Sequence, residues 1–341
     1  FPARSLLHGN WRDFAPRFSF AYRPFSEGTF VVRGGYGIFY APLISVPVQG
    51  FIGGPFASTV NYTNSITNGT PAFAFPFAFG GSSSIPSQSI SPNSPNLRTP
   101  YVQQWNLTLE RQLPGKVVAR ASYRGFRTVQ IPYQRDLNMP PASTNPDNQN
   151  IFYYPNFYQI NYVEDGGIQK MNALDLAIER KLTSGITFQS QYTWAKNLSD
   201  AGDDYEVNTS GLNTLNPYNR SLDMGNVSYN PRHRWVSSVL YELPFGHGKR
   251  YGANWNRVLD GAAGGWQVTG IFVAQTGQFL TPIDGSIDPT NNRSINTGQV
   301  RPDCIANPNL SNPTPGNWFN QAAFAEPANG AYGTCGRGII V

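Results

Sequence analysis

Groups able to do chemistry are scarce in this 341-residue chain, which holds three histidines (His8, His233, His247), two cysteines (Cys304, Cys335) and 20 aspartates and glutamates. An active site needs a nucleophile, a proton-transfer partner and a charge stabiliser that converge. His233 stands between Arg232 and Arg234 at the entrance to an alternating segment, where flanking cations disfavour its protonation. That suits a strand-entry histidine better than a general base. His247, in the turn Phe245-Gly246-His247-Gly248-Lys249, reads as solvent-exposed. Asp200, Asp203, Asp204 and Glu206 have a spacing compatible with a hard cation such as calcium. The terminal bidentate glutamate of a calcium loop is missing, so an acidic surface loop is the better reading, and Asp284 and Asp288 repeat the signal more weakly. No nucleophile elbow, phosphate-binding loop or paired-histidine zinc helix occurs. The chain is read as noncatalytic and without a cofactor; a hydrolase working through Asp203 or Asp204 is the weakest of the functional readings.

Cys304 and Cys335 flank a segment rich in Asn, Pro and Gly and lack the paired spacing of a structural zinc site. A disulfide is favoured over two separate thiols, and it would place the chain in an oxidising periplasmic or surface environment.

What could position such residues is a sheet. With 34 Gly and 28 Pro but only 13% charged residues, the composition suits an all-β chain with many turns. A mean hydropathy of −0.37 leaves it far from uniformly apolar, and no stretch approaches the ~18 apolar residues of a helical span. Strand-like alternation marks 14–23, 29–41, 100–113, 116–128, 172–182, 185–197, 233–243 and 265–279. Between them short connections alternate with long polar loops at 42–99, 129–171, 198–232 and 280–341. Such a beat of tight turns and long loops is that of an antiparallel meander in a transmembrane β-barrel, with the long loops extracellular. About eight to ten strands are expected, forming a partial or open barrel in a single segment. A soluble sandwich with the same period remains the rival reading. The chain opens on Phe1 without a charged and then apolar leader, so no signal peptide is read in it.

Period two sorts each segment into faces. Leu107 and Leu109 oppose Thr108 and Glu110, while Leu174, Leu176 and Ile178 oppose Asp175, Ala177 and Glu179. Arg33, Glu110, Arg120, Arg124, Asp175 and Glu179 are therefore the candidate lumen lining, and Tyr101, Tyr123, Trp194, Trp235 and Trp266 the candidate aromatic girdle at the lipid interface. Net charge is +5, but the basic residues are scattered among strands rather than gathered in a stripe, so nucleic acid is not expected as a partner. Phe73, Phe75 and Phe77 in one loop, and Tyr153 and Tyr154 in another, are candidate contacts for an oligosaccharide or peptide. Packing of loop against loop explains the same aromatics.

Several phrases in order resemble the barrel of Oar-like TonB-dependent receptors. They are NWRDFAPR at 10–17, VVRGGYGIFY at 31–40, TPYVQQWNLTLERQLPG at 99–115, ALDLAIERKLTSGITFQSQYTWAKNL at 173–198, NPYNRSLDMGNVSYNPRHRWVSSVLYELPFGHGKR at 216–250, GGWQVTGIFVAQTGQFLT at 264–281 and WFNQAAFAEPANGAYGTCGRGII at 318–340. The resemblance implies an outer-membrane barrel of about 22 strands in bacteria. It also implies a signal peptide, a periplasmic carboxypeptidase-regulatory-like domain and a plug that contacts TonB, all outside this chain. Partners would then be outer-membrane lipid, the remaining barrel strands, the plug and, through it, TonB. A surface adhesion or glycan-binding module is the alternative of a different class.

Overall fold

The computed structural model describes residues 10–25, 29–41, 66–67, 69–71, 88–183, 185–201 and 214–341. Its centre is a ten-stranded sheet whose main path runs through β1 (Arg17–Tyr22), β2 (Phe30–Tyr40), β3 (Tyr101–Leu113), β4 (Val117–Asp136), β5 (Phe157–Thr183), β6 (Ile186–Ser199), β7 (His233–Glu242) and β8 (Gln267–Gln275). Each strand pairs antiparallel with the next in sequence. Among the described residues the sheet is open, with β1 and β8 unpaired on their outer sides. An antiparallel meander throws successive connections to opposite ends. The short links β1–β2, β3–β4 and β5–β6 therefore share one end with the β7–β8 link. All the long segments share the other.

Local chemistry sets the tight turns. Pro114–Lys116 reverses the chain with Gly115 at φ 76°, in the left-handed region that glycine enters without a side-chain clash. Gly185, at φ 81°, does the same between β5 and β6. The β7–β8 link carries a seven-residue helix, Arg257–Ala263, capped by the Asn256 side chain accepting the Leu259 N–H.

The register draws the apolar side chains into rows on one face. Leu107 opposes Tyr123, Tyr123 opposes Leu174, and Leu174 opposes Trp194. These rows have no second layer over them: Leu107, Leu176 and Trp235 are 44%, 44% and 48% exposed. A soluble sandwich would bury them, so the rival reading fails on this point. The buried apolar side chains gather instead at the long-loop end, where Met139, Leu215, Val227, Phe279, Val300 and Ile340 are enclosed.

Two strands run well past the segments whose alternation marks them. β4 continues to Asp136 and β5 begins at Phe157. The register shifts between Thr128 and Ile131 and again before Pro132, which breaks the period a sequence reader follows. Gly167 permits the close approach, because a Cβ there would lie 2.8 Å from the Ile131 carbonyl oxygen. A short strand, Gln88–Ile90, adds to this extension in parallel.

The segment after β8 is ordered into a cap. It holds two small antiparallel pairs, Asp303–Cys304 with Phe324–Ala325 and Asn309–Thr314 with Asn317–Phe319, and the Cys304–Cys335 disulfide ties the first of them to the segment that follows. Two buried arginines then fasten it to the other long loops. Arg301, 1% exposed, pairs with Asp223 at 2.9 Å and donates to the Leu222 carbonyl. Arg293 donates to the carbonyls of Asn138, Gln149 and Ile151 and lies over the Phe152 ring at 4.1 Å. Burial pushes the Asp223 carboxyl up to about 6, against the opposing pull of Arg301 and the Leu215 N–H.

Closing a loop of 31 residues, the disulfide should contribute roughly 3–4 kcal/mol to the cap. Replacing Cys304 and Cys335 by Ser is expected to make 276–341 the first segment cut in limited proteolysis, while the wall strands resist. The Asp223 carboxyl keeps its proton to higher pH when folded than when unfolded. Its contribution is therefore full below about pH 4 and is lost as pH rises through about 6, by up to about 3 kcal/mol. Amide protection over 214–227, corrected for intrinsic exchange, should fall across that window in the native chain and lose this dependence in Asp223→Asn; protection that increases with pH would contradict the assignment.

Candidate functional site

The six charged residues picked out by alternation meet on the polar face of the wall. Arg33 of β2 reaches Glu110 of β3 at 3.7 Å, Glu110 accepts from Arg120 of β4 at 3.2 Å, and Arg120 lies 3.9 Å from Glu179 of β5. One level along, Arg124 of β4 contacts Asp175 of β5 at 2.6 Å, and Asp175 also accepts from the Thr193 hydroxyl of β6 at 2.6 Å. Thr108 and Ser122 share a 3.0 Å hydrogen bond between the two chains of charge. Diagonal neighbours on a twisted antiparallel sheet lie within reach of long side chains, which is why residues far apart in sequence join. Pairs this exposed add little stability, about 0–1 kcal/mol each. Three guanidiniums face three carboxylates, so the face is polar yet locally balanced.

Toward the long-loop end the same face lines a cavity of about 740 Å³. Amide side chains dominate it: Gln104, Asn106, Gln169 and Asn197 come from β3, β5 and β6, and Asn230 comes from the segment before β7. Gln169 donates to Asn197 at 3.2 Å and to the Tyr229 hydroxyl at 2.6 Å, so the amides are oriented. Phe126 and Met171 add an apolar floor, while the rings of Tyr101 and Trp105, although these residues edge the cavity, belong to the apolar face. Met171, with Ala173 and Ala195, is buried beneath this rim. Of the six charged residues, Arg124 lines the cavity. Sequence reading passed over Gln169, Asn197 and Tyr229; the available signal was amides in dyad register just before a long loop.

The other candidates fall elsewhere. Tyr153 and Tyr154 are each 52% exposed and do not line the cavity; Tyr154 is held through its backbone by both ends of the Asn138 side-chain amide. Phe73, Phe75 and Phe77 lie outside the described residues, as do Asp203, Asp204 and Glu206. Asp200, the described member of the acidic group, accepts from Arg220 at 2.9 Å and from the Ile168 N–H at 2.6 Å. That is the bonding of a carboxylate holding a loop to a strand. Among the described residues no group of three or more His, Cys, Asp or Glu side chains could hold a metal ion. His233 sits with its Nδ1 2.6 Å from the Tyr192 hydroxyl, at the entry of β7.

A family model described as outer membrane beta barrel domain matches residues 1–341. Among solved structures, similarity extends to the ferric-catecholate import receptor Fiu from K12 E. coli (11% identity, 66% of this chain and 22% of that one, TM-score 0.33). It extends also to the FrpB iron transporter from Neisseria meningitidis, F5-1 variant (12% identity, 67% and 25%, TM-score 0.35). The outer membrane transporter YddB from Escherichia coli gives 13% identity, 76% and 33% coverage, and a TM-score of 0.39. The chain thus spans 22–33% of the length of these structures. No curated protein matches it.

The two faces can be told apart by where a charge is tolerated. Leu176 and Gln191 lie close together on neighbouring strands but on opposite faces. Leu176→Arg should lower the fraction of chain that inserts into vesicles and cost about 2–4 kcal/mol, against under about 1 kcal/mol for Gln191→Arg. Equal penalties would mean that neither face meets lipid.

Proposed function

The chain belongs to the outer membrane beta barrel domain family and is a protein of the bacterial outer membrane, and from this premise we propose that it is wall and recognition surface of a TonB-dependent receptor of the Oar-like kind. The observation that carries the reading is the cavity: the polar face and the ends of the long loops, at Pro100, Ala201, Tyr229 and Asn230, enclose a pocket of about 740 Å³ on the side turned away from the apolar rows. A polar lumen whose mouth is edged by long loops is what a ligand-recognising receptor requires. The open edges of β1 and β8 support a larger wall, since each unpaired backbone group in hydrocarbon costs several kcal/mol. Further strands would pair with those edges, and a plug acted on by TonB would supply the energy. The role is noncatalytic.

The ligand is a neutral hydrogen-bonding molecule, an oligosaccharide or peptide. Oriented amides beside the Phe126 and Tyr229 rings suit it, and Arg124, the arginine that lines the cavity, already has a carboxylate partner. Titrating neutral glycans and peptides calorimetrically against the chain in detergent should give saturable heats, and Gln169→Ala with Asn197→Ala should weaken binding at least about tenfold. Binding confined to anionic iron chelates, and unaltered by those two changes, would sink the ligand assignment. Uptake of the same ligand by the full-length receptor, unchanged in a host without TonB, would sink the receptor assignment.

A further inference from the structure

Three cations stand together on the lipid-facing side of the wall. Arg127 of β4 lies directly opposite Lys170 of β5, and Lys196 of β6 lies opposite Asn172, one dyad nearer the apolar rows. Their parity is that of Tyr123, Leu174 and Trp194, so all three side chains leave the sheet on the apolar face. All are exposed, and none forms an ion pair among the described residues.

That is costly as it stands. Like charges directly across a strand pair repel, and the neighbouring hydrocarbon offers no counter-ion. On the opposite face, by contrast, Arg33, Arg120 and Arg124 each have a carboxylate within the wall. The trio lacks its anion, and its level says which anion is at hand. It begins one dyad beyond the row of Tyr123, Leu174 and Trp194, roughly 7–13 Å along the strands. Rings of this kind sit at headgroup level. The Tyr123 hydroxyl, donating to Asn172 at 2.6 Å, already points into the polar layer.

We propose that Arg127, Lys170 and Lys196 form a binding site for a phosphorylated lipid of the outer leaflet, one whose headgroup carries at least two negative charges. The Arg127 guanidinium can grip one phosphate through paired N–H donors, while the two ammonium groups act as point charges toward a second. The site lies on the outside of the wall and is independent of the cavity and its ligand.

The test uses the full chain in detergent micelles doped with a bis-phosphorylated glucosamine-disaccharide lipid, its monophosphorylated form, or phosphatidylcholine, with retained lipid counted by native mass spectrometry. The bis-phosphorylated lipid should be retained at about tenfold lower concentration than phosphatidylcholine, with the monophosphorylated form between them. The triple variant Arg127→Gln/Lys170→Gln/Lys196→Gln should lose the preference. Lys170→Arg/Lys196→Arg should keep it, and so should Arg111→Gln on the same face at the short-turn end. If the triple variant does not fold, Lys170→Gln alone serves: it relieves the repulsion with Arg127, so it should resist heat better in lipid-free detergent and retain less phosphorylated lipid. Equal retention of all three lipids, an unchanged preference in the neutralised variants, or displacement of the lipid by millimolar inorganic phosphate would overturn the proposal.

Discussion

A backbone amide placed in hydrocarbon has no water to bond, and everything else in this structure follows from how that requirement is met. Pairing each strand with its sequence neighbour satisfies the N–H and C=O groups along the meander while leaving both faces of the sheet free for side chains. Alternation can then assign one face to lipid and the other to water. The apolar rows and the ladder of ion pairs are two consequences of the same hydrogen-bonding scheme. Neither face needs a second layer, which is why the wall holds so little buried apolar surface.

Enclosed side chains collect where the backbone leaves the sheet. The long loops cannot rely on ladder hydrogen bonds, and they are held by buried polar groups: Arg293 gathers three carbonyls from the β4–β5 connection, and Arg301 with Asp223 joins the cap to the β6–β7 connection. Amide side chains extend the pattern, as Asn292 reaches the Pro140 carbonyl and Asn148 the Asn291 carbonyl. The wall draws its order from lipid and ladder. The cap draws its order from specific polar bonds and one disulfide, so the two regions answer to different solvents.

That division also explains what a reader of the sequence can see. The wall was legible because one face meets lipid and the other water, which imprints period two on Leu174 to Glu179 without interruption. The ion-pair ladder followed from the same count, since charges inside an apolar alternation have only one side to occupy. The extension of β4 and β5 was not legible. A bulge near Ile131 resets the parity, and Pro132, Gly166 and Gly167 look like loop residues. The cavity was hidden for another reason: Gln104, Gln169 and Asn197 are distant in sequence and are joined only by strand register and by loops packed from elsewhere. Tyr153 and Tyr154, chosen for their aromatic run, sit outside the cavity because the chemistry of a segment says little about where a loop will rest.

The long reach of β5 has a consequence for how the molecule meets its surroundings. Residues 157–171 continue the strand for about 50 Å at ~3.3 Å per residue, paired over much of that length with the end of β4. With Gln88–Ile90 paired along its other edge and Arg293 holding its tip, this extension does not sag as a free loop would. It carries the outermost surface clear of the crowded sugars and headgroups around its base. Bulky molecules diffusing past the cell can then touch that surface before steric crowding turns them away.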